Sequence, residues 1–317
     1  MKAHLFGCTF LISLALHAQV STIDELTRAA HLNEVGRFSE ALQITEPLMA
    51  SSASSPDVVA GVAWNIRGLA LENLGELDRA RRSYETSIEI LRATHAPVKQ
   101  YASALNNLGS LKADLGDFEE SLSLRLRALK LYRSISDHAG AARTSVNLAL
   151  LALAQRDRKR TRRFIAEAQR KMTLVANPNA SELAALYNVE AVEDAREGRL
   201  NEALHVVDQA LHLWTESYGS QYYLIATGLC LRGQIHSASK SWDEAQADLV
   251  RALDILSINH AVNSKAYFIA ERNYATVLRQ QGDSNKAEKL AGDAKRGLEG
   301  LQAKQCTGCS VSVESFR

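Results

Sequence analysis

The stretch GRFSEAL, residues 36–42, returns as GRLNEAL at residues 198–204, 162 residues downstream. An interval that is a whole number of periods marks an array rather than two ordinary domains. Aligned on the Ala of the phrase, equivalents fall at Ala41, Ala80, Ser121, Thr161, Ala203, Ala245 and Ala287. The steps are 39, 41, 40, 42, 42 and 42 residues, so the two phrases stand four periods apart in one array of seven units. Five residues upstream of each aligned position lie Gly36, Gly75, Gly116, Arg156, Gly198, Lys240 and Gly282. Twelve upstream lie Ala29, Gly68, Gly109, Ala149, Ala191, Gly233 and Ala275, all of them small.

Each part of the unit has a physical reason. A small residue inside an amphipathic helix lets a second helix approach closely, and the aligned Ala marks where the second helix meets the first. The glycine between them suits the left-handed residue that ends a helix. Asp117-Phe-Glu-Glu120 and Ser241-Trp-Asp-Glu244 both fit a capping box at the start of the second helix. Pro56, Pro97 and Pro178 fall five or six residues before units starting at 61, 102 and 184, where a proline stops one helix and leads into the next. Two irregularities are expected. Pro47 should kink or stop the second helix of the first unit, and Arg156 with Thr161 should loosen the fourth.

The pattern resembles the tetratricopeptide repeat family, most clearly in ALNNLGSLKADLGDFEESLSLRLRAL (104–129), with Leu108-Gly109, Gly116, Ser121 and Ala128 at the family's spacing. The steps exceed the common 34 residues, and with His95-Ala-Pro-Val98 at a unit corner they look like the longer variant seen in kinesin light chains. The resemblance implies an all-α, right-handed α-solenoid (superhelix) of about seven helix-turn-helix units over residues 22–300, starting near 22, 61, 102, 142, 184, 226 and 268. Residues 301–317 then form a C-terminal tail.

Composition agrees with helices: 46% of residues are hydrophobic but only 6% aromatic, so Leu and Ala carry the apolar content. The formal charge of +1 provides no field to draw the chain onto nucleic acid. Residues 1–18 read as a signal peptide: Lys2, then an apolar run from Leu5 to Leu16, then Ala18. The run is too short to span a bilayer, and export to a periplasmic or extracellular compartment is expected. Cys230, Cys306 and Cys309 would then meet oxidising conditions. In the tail CTGCSVSVESFR (306–317), a local Cys306–Cys309 disulfide is the favoured reading; a redox or metal role, or pairing with a second chain, stays open.

No catalytic signature is present: no H-E-x-x-H, G-x-S-x-G, P-loop or G-x-G-x-x-G. No enzyme, cofactor or metal is therefore expected. His95, His138 and His260 sit at unit corners, as packing or capping residues. The basic run RDRKRTRR offers Arg156, Arg158, Lys159, Arg160, Arg162 and Arg163. It reads first as a solvated helix start and second as a patch for an anionic partner, a membrane surface being the weaker form of that idea.

The family resemblance also implies a concave groove that takes a peptide or protein segment. Its most-used position falls on Asn65, Asn106 and Asn188, with Leu26, Val146, Cys230 and Arg272 in the other units. Asn107, Asn147 and Asn273 lie one residue on. An Asn carboxamide both donates and accepts, so it can pair with a peptide backbone, or it can brace neighbouring helices. The same analogy puts Glu34, Glu72 and Asp114 on an acidic end of the groove wall, and Arg143, Arg196, Arg272 and Arg279 on a basic end. The chain thus reads as an exported, non-enzymatic interaction scaffold.

Overall fold

The computed structural model describes residues 22–50 and 57–303. The signal sequence, Pro56, Cys306 and Cys309 lie outside them. The described residues form fourteen helices and no strand. They are α1 (22–34), α2 (Phe38–Ala50), α3 (Val58–Asn73), α4 (Leu77–Ala93), α5 (Val98–Asp114), α6 (Phe118–Ser134) and α7 (His138–Ala154). Then follow α8 (Arg158–Met172), α9 (Ala180–Arg196), α10 (Leu200–Tyr218), α11 (Tyr223–Ala238), α12 (Trp242–Ile258), α13 (Lys265–Gln280) and α14 (Ser284–Ala303). Within a unit, successive helices pack as a hairpin, and from α3 to α13 the odd-numbered helices also touch one another in sequence. The odd helices thus form the inner layer of a right-handed solenoid, and the even helices the outer one.

The repeat explains the hairpins. All seven aligned residues, Ala41 to Ala287, are completely buried. At Gly68 a Cβ would stand 2.5 Å from the Tyr84 ring, so α3 and α4 meet where only glycine fits. In the third unit Ser121 donates its hydroxyl to Gly109 O at 2.6 Å, a bond between helix axes that a larger pair would push apart. The turn between the two helices is left-handed in every unit. Five glycines there have φ from 78° to 92°, and Arg156 and Lys240 adopt 58° and 62°. The geometry of the repeat overrides the missing glycine. Asp117 N then reaches back to Lys112 O at 2.8 Å, tying off the end of α5.

Several local expectations need correction. From α3 to α13 the inner helices begin three or four residues before the unit starts counted from the repeat: α5 follows Pro97 directly, and α9 begins two residues after Pro178. Asp117 caps α6 through Glu120 N at 3.3 Å, but Glu120 turns to Lys112 Nζ at 2.6 Å, so half of that capping box forms. Ser241 makes no side-chain cap. The fourth unit is not loose, because Thr161 is fully buried and returns its hydroxyl to Asp157 O at 2.8 Å. Pro47 is accommodated inside α2, which is described from Phe38 to Ala50. The corner histidines act through their backbones: His95 and His260 take φ of 52° and 57°, while His138 opens α7.

The superhelix also closes on itself. Tyr218 OH donates to Glu34 Oε1 at 2.7 Å, and Asn179 Nδ2 donates to the same oxygen at 3.0 Å. Phe38 meets Tyr223 edge to face, with ring centroids 5.2 Å apart. Lys265 Nζ pairs with Asp114 Oδ1 at 2.7 Å. The turns of the first three units therefore rest on the corners that lead into α9, α11 and α13. This seam has no counterpart in the sequence period, since its partners lie 145 to 184 residues apart in the hydrogen-bonded cases around Glu34.

Candidate binding site

The inner helices carry a directed chain of carboxamides. Asn147 Nδ2 donates to Asn106 Oδ1 at 3.2 Å, and Asn106 Nδ2 to Asn107 Oδ1 at 3.5 Å. Asn107 Nδ2 donates in turn to Asn65 Oδ1 at 3.1 Å, and Asn65 Nδ2 to Ser103 Oγ at 3.4 Å. The chain crosses α3, α5 and α7, linking the groove position of one unit to the following residue of the next. Bracing is part of its role: Asn106 is only 2% exposed. Each carboxamide still keeps capacity beyond these bonds, having two donor hydrogens and two acceptor lone pairs.

The ladder stops where its next rung is apolar or sulfur. Asn188 would meet position 231, which is Leu, and its Oδ1 is buried without a partner. Asn273 would meet Cys230, and its Nδ2 is likewise unpaired. Burial pushes the Cys230 thiol up to about 12, so it stays protonated and unreactive. Of the basic wall, Arg143 pairs with Glu182 Oε1 at 2.7 Å and Arg196 donates to Leu153 O. Arg272 and Arg279 are exposed on α13. The two ends of the wall are not separate poles, because the seam brings acidic Glu34 and Asp114 against the late units.

That closure encloses a cleft of about 330 Å³ between α3, α5, α11 and the start of α13. Glu72, Asn73, Asn107, Ser110 and Asp114 form one wall, and Tyr223, Leu224 and Leu256 lie on the other. Glu72 accepts from Tyr84 OH at 2.6 Å. Burial, reinforced by the Asp114 charge, pushes its carboxyl up from 4.5 to about 8. Arg125 lies behind the wall, 4% exposed, donating to Asn147 O at 2.6 Å and Ser110 Oγ at 3.1 Å. Desolvation lowers its guanidinium to about 10. Sequence reasoning named Glu72, Asn107 and Asp114 but missed Asn73, Ser110, Arg125, Tyr223 and Lys265. The one available signal was the tyrosine cluster YGSQYY at 218–223, set in a corner with no periodic reason for it.

The basic run lies on outer helix α8 and its leading turn, away from this cleft. Asp157 caps α8 through Arg160 N at 2.9 Å and pairs with Arg160 Nε at 3.1 Å. Arg162 pairs with Glu197 and, at 3.5 Å, with Glu193; Arg158 reaches Glu197 at 4.0 Å. Arg163 lies 5.7 Å over the Phe164 ring. Arg156 makes the turn and Lys159 is exposed. Much of this charge therefore fastens α8 to α9. Among the described residues no group of three or more His, Cys, Asp and Glu is placed to hold a metal, and no helix is long and apolar enough to cross a membrane.

Family models for the tetratricopeptide repeat match residues 62–92, 100–168 and 182–258, together more than half of the chain. The chain belongs to the tetratricopeptide repeat family. No curated protein matches its sequence. Among solved structures it is similar to BtubC (BKLC) from P. vanneervenii, at 23% identity and a TM-score of 0.53, over 73% of this chain and 92% of that one. The Rap conjugation gene regulator of plasmid pLS20, in complex with a Phr peptide, is 12% identical with a TM-score of 0.69, over 92% and 77% of the two chains. NprR in complex with its cognate peptide NprX is 11% identical with a TM-score of 0.66, over 99% and 92%. At these identities the likeness is one of fold.

Proposed function

We propose that the chain is a non-enzymatic interaction scaffold that binds an extended peptide segment on its inner face. The observation that carries this reading is the carboxamide chain, which opens through Asn107 into the seam cleft. A cleft of about 330 Å³ lies in the range of ligand sites. Carboxamides serve backbone N–H and C=O groups without reading side chains. The peptide complexes of NprR and the Rap regulator, solenoids of the same fold, support the mode of binding. Residues 1–18 are read as directing export, which N-terminal sequencing of the protein recovered outside the cytoplasm would check.

Selection of peptides from a random display library on the immobilised chain tests the groove. Selected peptides should bind Asn107→Ala about fivefold more weakly, the loss of one hydrogen bond of about 1 kcal/mol. Thr227→Trp, an exposed position on α11 that would fill the cleft, should abolish binding. Peptides held equally by both variants would place the binding surface elsewhere and end this reading.

A further inference from the structure

The cleft has two unlike walls, and their chemistry points to a particular occupant. Asp114 already has its cation, Lys265, at 2.7 Å. Glu72 has one hydrogen bond, from Tyr84, and among the described residues no cation within ion-pair distance. Arg125 contributes charge from behind, yet its guanidinium is committed to Asn147 O and Ser110 Oγ. Opposite these polar groups stand Tyr223, Leu224 and Leu256, an apolar surface. A carboxyl group with no ion-pair partner thus faces a wall of one tyrosine and two leucines across a space open to a ligand.

We infer that the cleft receives the side chain of a Lys or Arg residue carried by the bound peptide. Its aliphatic stem would lie along Tyr223, Leu224 and Leu256, and its cationic head would meet Glu72. Lys and Arg are the residues that join an apolar stem to a charged head, so both walls are satisfied at once. The inference rests on the groove reading above and names the chemistry of its ligand.

The groups around Glu72 make the event visible. Asp114 of α5, Tyr84 of α4, Arg125 of α6 and Lys265 of α13 all act on it, and Glu72 in turn adds to the burial that raises the Tyr223 phenol on α11. In the free protein Glu72 holds its proton through neutral pH. An arriving cation favours the ionised form, so binding at pH 7 should release a proton.

The test uses three labelled hexapeptide mixtures that differ at one fixed central position: Arg, its uncharged isostere citrulline, or Glu. Affinities come from fluorescence anisotropy, and proton release from calorimetry in two buffers of different ionisation enthalpy. The expected result is about tenfold tighter binding of the Arg mixture than of the citrulline mixture, with net proton release on the Arg mixture alone. Glu72→Gln keeps the shape and an acceptor for Tyr84; it should bring the Arg-to-citrulline ratio to about one and remove the proton release, while binding itself persists. Equal affinity for Arg and citrulline in the wild type would overturn the inference and leave the groove reading standing. An Arg preference that survives Glu72→Gln would overturn the assignment to Glu72. Absence of binding by every mixture would overturn both readings.

Discussion

Glu72 is where one residue's chemistry shapes the behaviour of the chain. In the unfolded chain its proton is released near the ordinary 4.5, whereas the folded protein keeps it up to about 8. Between those values the folded state binds the extra proton, so stability falls as pH rises through this window and levels off above it. Below both values Glu72 contributes no pH dependence. Glu72→Gln removes the ionisable group and should be the more stable form at pH 9 by about 2 kcal/mol, allowing for water in the cleft, and equal to wild type near pH 4. Parallel denaturant melts at the two pH values check this; an unchanged difference between them would show that Glu72 ionises freely. The identity of Glu72 as a wall residue was legible in the sequence through the family register. Its counter-ion deficit was not, because that depends on Asp114 being claimed by Lys265, 151 residues away.

At the scale of the element, the left-handed turn inside each unit decides the hairpin. Gly116 has φ of 83° and open space where a Cβ would stand, so Gly116→Ala tests backbone conformation alone. It should cost about 1 kcal/mol. The reverse change, Arg156→Gly at φ 58°, should stabilise by about 0.5 kcal/mol, since Gly adopts this conformation without strain but loses more chain entropy on folding. Urea melts of both variants measure the pair, and a stabilising Gly116→Ala would contradict the argument. These turns were legible because seven copies vote on each position. The same alignment also suggested a loose fourth hairpin, and that failed for a local reason: Thr161 is small enough to be buried once its hydroxyl finds Asp157 O. Capping was misread at Ser241 and at Glu120, where Lys112 competes for the carboxylate and no sequence pattern registers the competitor.

For the whole molecule, the feature that periodicity cannot reveal is the seam. A tandem repeat encodes contacts between neighbours; whether the resulting curve meets itself depends on small rotations summed over several units. Here the join is made by an ion pair, an aromatic contact and hydrogen bonds at Glu34. Lys265→Glu would set three carboxylates together at that join and should part it. Small-angle scattering should then show the radius of gyration rising by about 2 Å over a compact value near 20 Å. No change would mean that the remaining contacts hold the ring without the ion pair.

A chain of stacked hairpins ordinarily frays from its ends, because the outermost unit has one neighbour instead of two. In this protein the first hairpin has a second neighbour, supplied by Tyr218 and Tyr223 from far along the chain. Fraying of α1 and α2 must break that attachment as well as the ordinary stacking. Amide exchange in the first unit should therefore be as slow as in the middle of the array, and the whole should melt in one step where an open solenoid would peel away unit by unit.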